Sequence, residues 1–172
     1  LGKHGHGLPA LGAALRAGLV VRTGLLAASA RDIDQFTGDL DRITPLIWNE
    51  LNTLGVPFIR CGVFIMDEEQ HQAHTYLSNP EGEAIAAFHQ PYNTPGEISE
   101  VVSSWRKKEM YTQHWDEARF VKFTTDLVQQ GAITSGEKYL TENRPTDLYL
   151  HFLPFLQGML YVGNTSPLSD DA

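Results

Sequence analysis

Residues 58–78, "FIRCGVFIMDEEQHQAHTYLS", decide the fold. The segment VPFIRCGVFIM at 56–66 is apolar on both of its alternating faces, as a central strand must be when both sides are covered. DEEQ at 67–70 reads as a turn and HQAHTYLS at 71–78 as the returning strand, so the stretch is an antiparallel hairpin. Alternation places Ile59, Cys61, Val63 and Ile65 on one face, with Phe58, Arg60, Gly62, Phe64 and Met66 on the other. Cys61 therefore sits among apolar neighbours and reads as a small buried hydrophobe rather than a nucleophile. Arg60 is the sharper signal. A buried guanidinium must be paired, either by an acidic side chain of the chain itself or by a ligand anion. His71 and His74, three apart, point to opposite faces of a strand and cannot share a metal.

Upstream, the first seven residues, LGKHGHG, read as terminus, and their glycine-flanked histidines have no scaffold to fix a metal. Pro9 suits the first turn of a helix running to about residue 30. In the next segment Ile33, Phe36, Leu40, Ile43, Ile47, Leu51 and Leu54 recur at steps of three and four. That is an apolar stripe close to a coiled-coil seam, with Pro45 as a kink and Gly55 as its stop. Part of the stripe is expected to cover the sheet and part to meet another subunit.

Downstream, AIAAFHQ at 84–90 reads as a third strand. NTPGE at 93–97 reads as a helix start, with Thr94 as N-cap, Pro95 at the first position and Glu97 at the third. Ile98, Val101, Val102 and Trp105 then share one helix face. MYTQHW at 110–115 is a short strand, and a helix over 116–130 turns Phe120, Phe123, Leu127 and Val128 inward before Gly131. SGEKYLTEN at 135–143 reads as a short helical piece, and DLYLHFLPFLQGMLYVGN at 147–164 as a second hairpin around Gln157-Gly158. SPLSDDA opens a helix with Ser169 as cap, and the sequence stops as that helix begins. With Leu1 rather than Met at the start, the expectation is of a piece of a longer chain. Hairpins joined by helices, without regular βαβ alternation, predict an α+β fold on an antiparallel sheet.

Composition narrows the functions. The 172 residues are enough for one domain with its own core, and the 13 basic against 21 acidic side chains give a net charge of −8. Nucleic acids and anionic membranes call for concentrated positive charge, so neither is an expected partner. The one basic cluster, Arg106-Lys107-Lys108, suits the C-terminal end of a helix dipole. One cysteine allows no internal disulfide and no cysteine-rich zinc site, which makes a reducing, cytoplasmic setting the expectation. Arg16 and Arg22 interrupt the apolar stretch 8–30, so it is not read as a membrane span. The chain contains no phosphate-binding loop, dinucleotide glycine fingerprint, nucleophile elbow or HExxH, and no catalytic residue or metal ligand is assigned.

LNTLGVPFIRCGVFIMDEEQ, the later DLYLHFLPFLQGMLYVGN and the terminal PLSDDA resemble the GAF sensor domains of bacterial multidomain signalling proteins, including two-component systems. The resemblance is one of element order over residues 31–172. It implies a central antiparallel sheet of about six strands, long N-terminal helices packed on one face, and a ligand pocket or its vestige on the other. It also implies a homodimer through the first and last helices, feeding a kinase, cyclase or phosphatase output. The acidic, Asn- and Lys-containing signature of cyclic-nucleotide-binding members is missing, and Cys61 lies mid-strand rather than in a bilin-attaching loop. Neither ligand carries over.

The organisation expected is an N-terminal tail and helix over 1–30, then a sensor domain over 31–172. That domain includes a signalling helix at 31–54 and the start of an outgoing helix at 169–172. The function expected is non-enzymatic sensing and dimerisation, with an unidentified small molecule on a sheet face bearing Arg60, Tyr76 and His151. His89, Trp105, Trp115 and Tyr149 complete the candidate ligand-binding residues, and no cofactor is named. Two rivals stand beside it. One is a small-molecule enzyme whose pocket is built from His89, His114 and His151. The other is a purely structural dimer module with a filled pocket and Arg60 paired internally.

Overall fold

A computed structural model of the chain describes residues 47–49, 51–53, 55–78, 84–131 and 144–167, with the side chains of 84–87 left aside. Its centre is a six-stranded antiparallel sheet in the order β3-β2-β1-β6-β5-β4. The strands are β1 (Arg60–Asp67), β2 (Gln72–Ser78), β3 (Ala84–Pro91), β4 (Tyr111–Asp116), β5 (Asp147–Phe155) and β6 (Gly158–Asn164). Two helices follow β3 and β4: α1 (Glu97–Lys107) and α2 (Glu117–Gln129). The α+β class and the six antiparallel strands are as the sequence predicts. The first three strands lie side by side, as do the last three, and the two halves meet at the β1–β6 pairing.

Alternation along each strand sorts the side chains into two cores. Phe64 and Met66 of β1, Ala73 and Leu77 of β2, Leu148, Leu150 and Phe152 of β5, and Met159 and Tyr161 of β6 share one face. Ile98, Val101 and Val102 of α1, with Phe120 and Leu127 of α2, pack onto it. Burying one such side chain contributes roughly 1.5–3 kcal/mol, so this layer fixes both helices against the sheet. The opposite face carries Cys61, Val63, Leu153, Phe155, Leu160 and Val162, against which Ile47 and Leu51 are buried. Residues 47–49 and 51–53 are helical. The rest of the predicted N-terminal helices and their seam, the 135–143 piece and the outgoing helix at 169–172 lie outside the described residues.

Several local expectations need correction. The returning strand starts at Gln72, and His71 belongs to the turn with a left-handed φ of 55°. Phe58 packs with the Cys61 face, not with Phe64, because regular alternation begins only at Arg60. Thr94 does not cap α1: its N–H closes a turn onto the Pro91 carbonyl, and Gly96, at φ 96°, occupies the cap position. A φ of that sign is open to glycine at little cost, so the helix starts after Gly96 rather than at Pro95. In α2, Asp116 caps the helix by accepting from the Arg119 N–H at 2.8 Å. Val128 is exposed, and the inward place goes to Thr124, whose hydroxyl donates to the Phe120 carbonyl at 3.0 Å.

Candidate functional site

The apolar face and its two helices enclose a cavity of about 40 Å³. Phe64, Phe88, Val101, Trp115, Phe120 and Phe152 are among its walls, with Thr75 and Glu97 as polar contributors. Thr75 is fully buried, and among the described residues no hydrogen-bond partner meets its hydroxyl oxygen. A buried hydroxyl without a partner is costly, so this atom marks where a guest's single polar group would be favoured. Glu97 opens α1 and accepts from the Arg119 guanidinium at 2.7 Å, which ties α1 to α2 beside the cavity. The Arg119 guanidinium lies 5.2 Å from the Trp115 ring centre, and the Trp115 indole donates to Gln113 Oε1 at 2.6 Å. Gln113 in turn donates to the Tyr111 hydroxyl.

The seven residues picked from the sequence do not form one site. Arg60 and Trp115 lie on the helix-bearing face, while Tyr76, His89, Tyr149 and His151 lie on the other. The physical reason is register. Tyr76 stands opposite Val63, and Val63 is three residues from Arg60, so Arg60 and Tyr76 point apart. Trp105, on α1, packs against the helix-side core and donates its indole N–H to the Phe155 carbonyl at 3.0 Å. Of the seven, only Trp115 lines the cavity. Arg60 is buried on the same face with its guanidinium 4.6 Å from the Phe120 ring centre.

The other face carries a polar group at its β4–β5–β6 end. His114 Nε2 donates to Asp147 Oδ1 at 2.9 Å, and the ring stacks on Tyr149 with ring centres 4.4 Å apart. His151 is buried, its Nδ1 lies 3.4 Å from the Thr112 hydroxyl, and its Nε2 has no partner among the described residues. Buried Asn164 likewise leaves both atoms of its amide without one. His89 is on β3, four strand positions from β5, so it stands roughly 19 Å from His151 across the sheet. The three histidines of the enzyme alternative therefore do not converge. Cys61 is fully buried, burial pushes its thiol pKa up, and Sγ sits 3.3 Å from Ser78 Oγ, as expected of a packing residue.

Burial lowers the His151 pKa from an ordinary 6.5, so the fold favours the neutral ring. The unfolded chain then binds more protons than the folded one below that value, and stability falls as pH drops through it. Denaturant titrations at pH 7.5 and 5.5 should show this loss, bounded by about 1.4 kcal/mol per pH unit for one histidine. His151→Gln should flatten part of the slope, leaving the share of His74, whose pKa is also lowered, mainly by burial. An unchanged slope would remove His151 from the acid sensitivity.

Sequence reading missed Thr75, although its place between Ala73 and Leu77 on an apolar strand face is the signal that finds it. It also missed that His74 pairs directly with His89 across β2 and β3. Among the described residues, no group of three or more histidine, cysteine or acidic side chains could hold a metal ion, and no helix is long and apolar enough to cross a membrane. Comparison with protein-family models, curated proteins and solved structures finds no match.

Proposed function

We propose that the chain is a GAF-like signal-sensing and dimerisation domain of a cytoplasmic signalling protein, without catalytic activity of its own. The observation that carries this reading is the cavity between the sheet and α1/α2, with the unpartnered Thr75 hydroxyl in its wall. A ligand entering there touches the sheet and both helices, so it changes how α1 and α2 sit. It shifts an output only through its differential affinity for the two arrangements. The chemistry of the lining selects a small, mostly apolar molecule with one hydrogen-bonding atom. The homodimer is assigned to the apolar stripe over 33–54.

The structural dimer module is favoured by one observation, the cavity's size. About 40 Å³ is far below the several hundred Å³ of an ordinary small-molecule site. Native mass spectrometry of the purified chain, run gently and then under denaturing conditions, separates the readings. A dimer carrying a small mass that leaves on denaturation is the expected result. A bare dimer favours the structural module, and a bare monomer overturns the assignment of the 33–54 stripe as a seam.

A further inference from the structure

We propose that the cavity opens to solvent between the first turns of α1 and α2, and that Arg119 is the strap that closes this mouth. Such a mouth presupposes the guest-binding cavity proposed above and sets how a guest gets in. Among the described residues that line the cavity, every side chain is buried except Glu97 and Phe123. Glu97 is the first residue of α1, and Phe123 lies in the second turn of α2. The floor is made by strands that are hydrogen-bonded to their neighbours and cannot part without breaking the sheet. The two helix starts are joined by side chains alone, so the way out runs between them.

Arg119 spans that gap. Its backbone N–H is held by the Asp116 cap at 2.8 Å, so the side chain starts from a fixed point. Its Nη2 and Nε both donate to Glu97 Oε1, at 2.7 and 3.2 Å. The same guanidinium lies 5.2 Å from the Trp115 ring centre. Phe123 packs edge-on against that ring, with centres 5.0 Å apart, and stands on the Arg119 face of α2 because four residues separate them. One side chain therefore holds two walls of the cavity, Glu97 and Trp115, beside a third, Phe123.

The strap is weak enough to open. The Arg119 and Glu97 side chains are 44% and 25% exposed, so water competes for their pairing. Breaking such an ion pair changes an equilibrium constant by about 1.4- to 5-fold. That keeps the mouth closed most of the time and still lets it part often. Salt weakens the pair further, since the screening length falls to about 3 Å at about 1 M.

The test is xenon exchange, followed by saturation-transfer NMR on the whole chain. Xenon is an apolar atom that cavities lined by apolar side chains take up. Shifts of the Val101 and Leu148 methyl signals place it in this cavity. Arg119→Ala should speed entry and exit alike, by up to about fivefold, and leave the dissociation constant within about twofold. Glu97→Gln, which removes the charge and keeps the size, should speed exchange in the same way. Sodium chloride at about 1 M should speed exchange in the parent and add nothing in Arg119→Ala. Lys122→Ala, which removes the exposed Lys122–Asp126 pair on α2, should leave both rates unchanged. Xenon that binds but exchanges at the parent's rates in Arg119→Ala overturns the strap and leaves the cavity standing. Faster exchange that comes only with lost affinity makes Arg119 a packing residue and overturns it too. Unmoved Val101 and Leu148 methyl signals in the parent would overturn the cavity reading itself, and the strap with it.

Discussion

Gly158→Ala should cost about 3 kcal/mol or more and leave the chain unfolded or aggregated under mild conditions. Gly158 opens β6 and pairs with Ile65 of β1 on one side and Phe155 of β5 on the other. A methyl group at its Cα would run into the Phe64 carbonyl oxygen, and would lie 2.9 Å from the Phe64 carbonyl carbon and 3.2 Å from Ile65 Cα. These are backbone atoms of a central strand, so no side chain can turn aside. β6 would have to move away from β1. Among the described strands that pairing alone joins the β3-β2-β1 half of the sheet to the β6-β5-β4 half, and the damage falls on the seam. Urea denaturation followed by circular dichroism checks it. A variant within about 1 kcal/mol of the parent would show that the β1–β6 approach relaxes without loss of pairing.

Much of the sheet was legible because its signals are local. The apolar run at 56–66, a polar turn and a returning alternation specify the first hairpin, and the β5–β6 hairpin is legible in the same way, although its turn is Leu156-Gln157 and Gly158 already belongs to β6. Helix faces were legible where apolar residues repeat, as with Ile98, Val101 and Val102. The start of α1 was not. Thr94-Pro95 carries the usual marks of a helix start, but the conformation that counts belongs to Gly96, and nothing in its neighbours reveals it.

The candidate site was less legible because it depends on register between strands distant in sequence. Face membership within β1 follows from alternation alone. Whether Tyr76 or His151 shares the face of Arg60 depends on which residue stands opposite which, and on β6 lying between β1 and β5. A polar residue was also a poor guide to a pocket. His151 and Arg60 drew attention by their charge, whereas the cavity is walled mainly by phenylalanines and leucines and is marked by the hydroxyl of Thr75.

Phe120→Ala tests the cavity and the core together. Phe120 is among the largest fully buried side chains, holds α2 to the sheet and forms part of the cavity wall. Truncating a buried phenylalanine costs about 3–5 kcal/mol, through lost burial and the void left behind. The Arg60 guanidinium also loses the ring 4.6 Å from it, a contact worth up to about 2 kcal/mol when desolvated. The void joins the existing 40 Å³ cavity, walled mainly by Trp115, Phe123, Leu148 and Phe152 with the Thr75 hydroxyl among its polar groups and the Arg60 guanidinium beside it, and should admit an aromatic guest. Benzene or indole should then restore part of the lost stability, about 2.7 kcal/mol at a hundredfold excess over its dissociation constant, and should do little for the parent chain. Thermal unfolding with and without the guest reads both effects. A large loss of stability with no rescue would mean that α2 settles into the gap, and a ligand-sized opening under α1 and α2 would then have no basis.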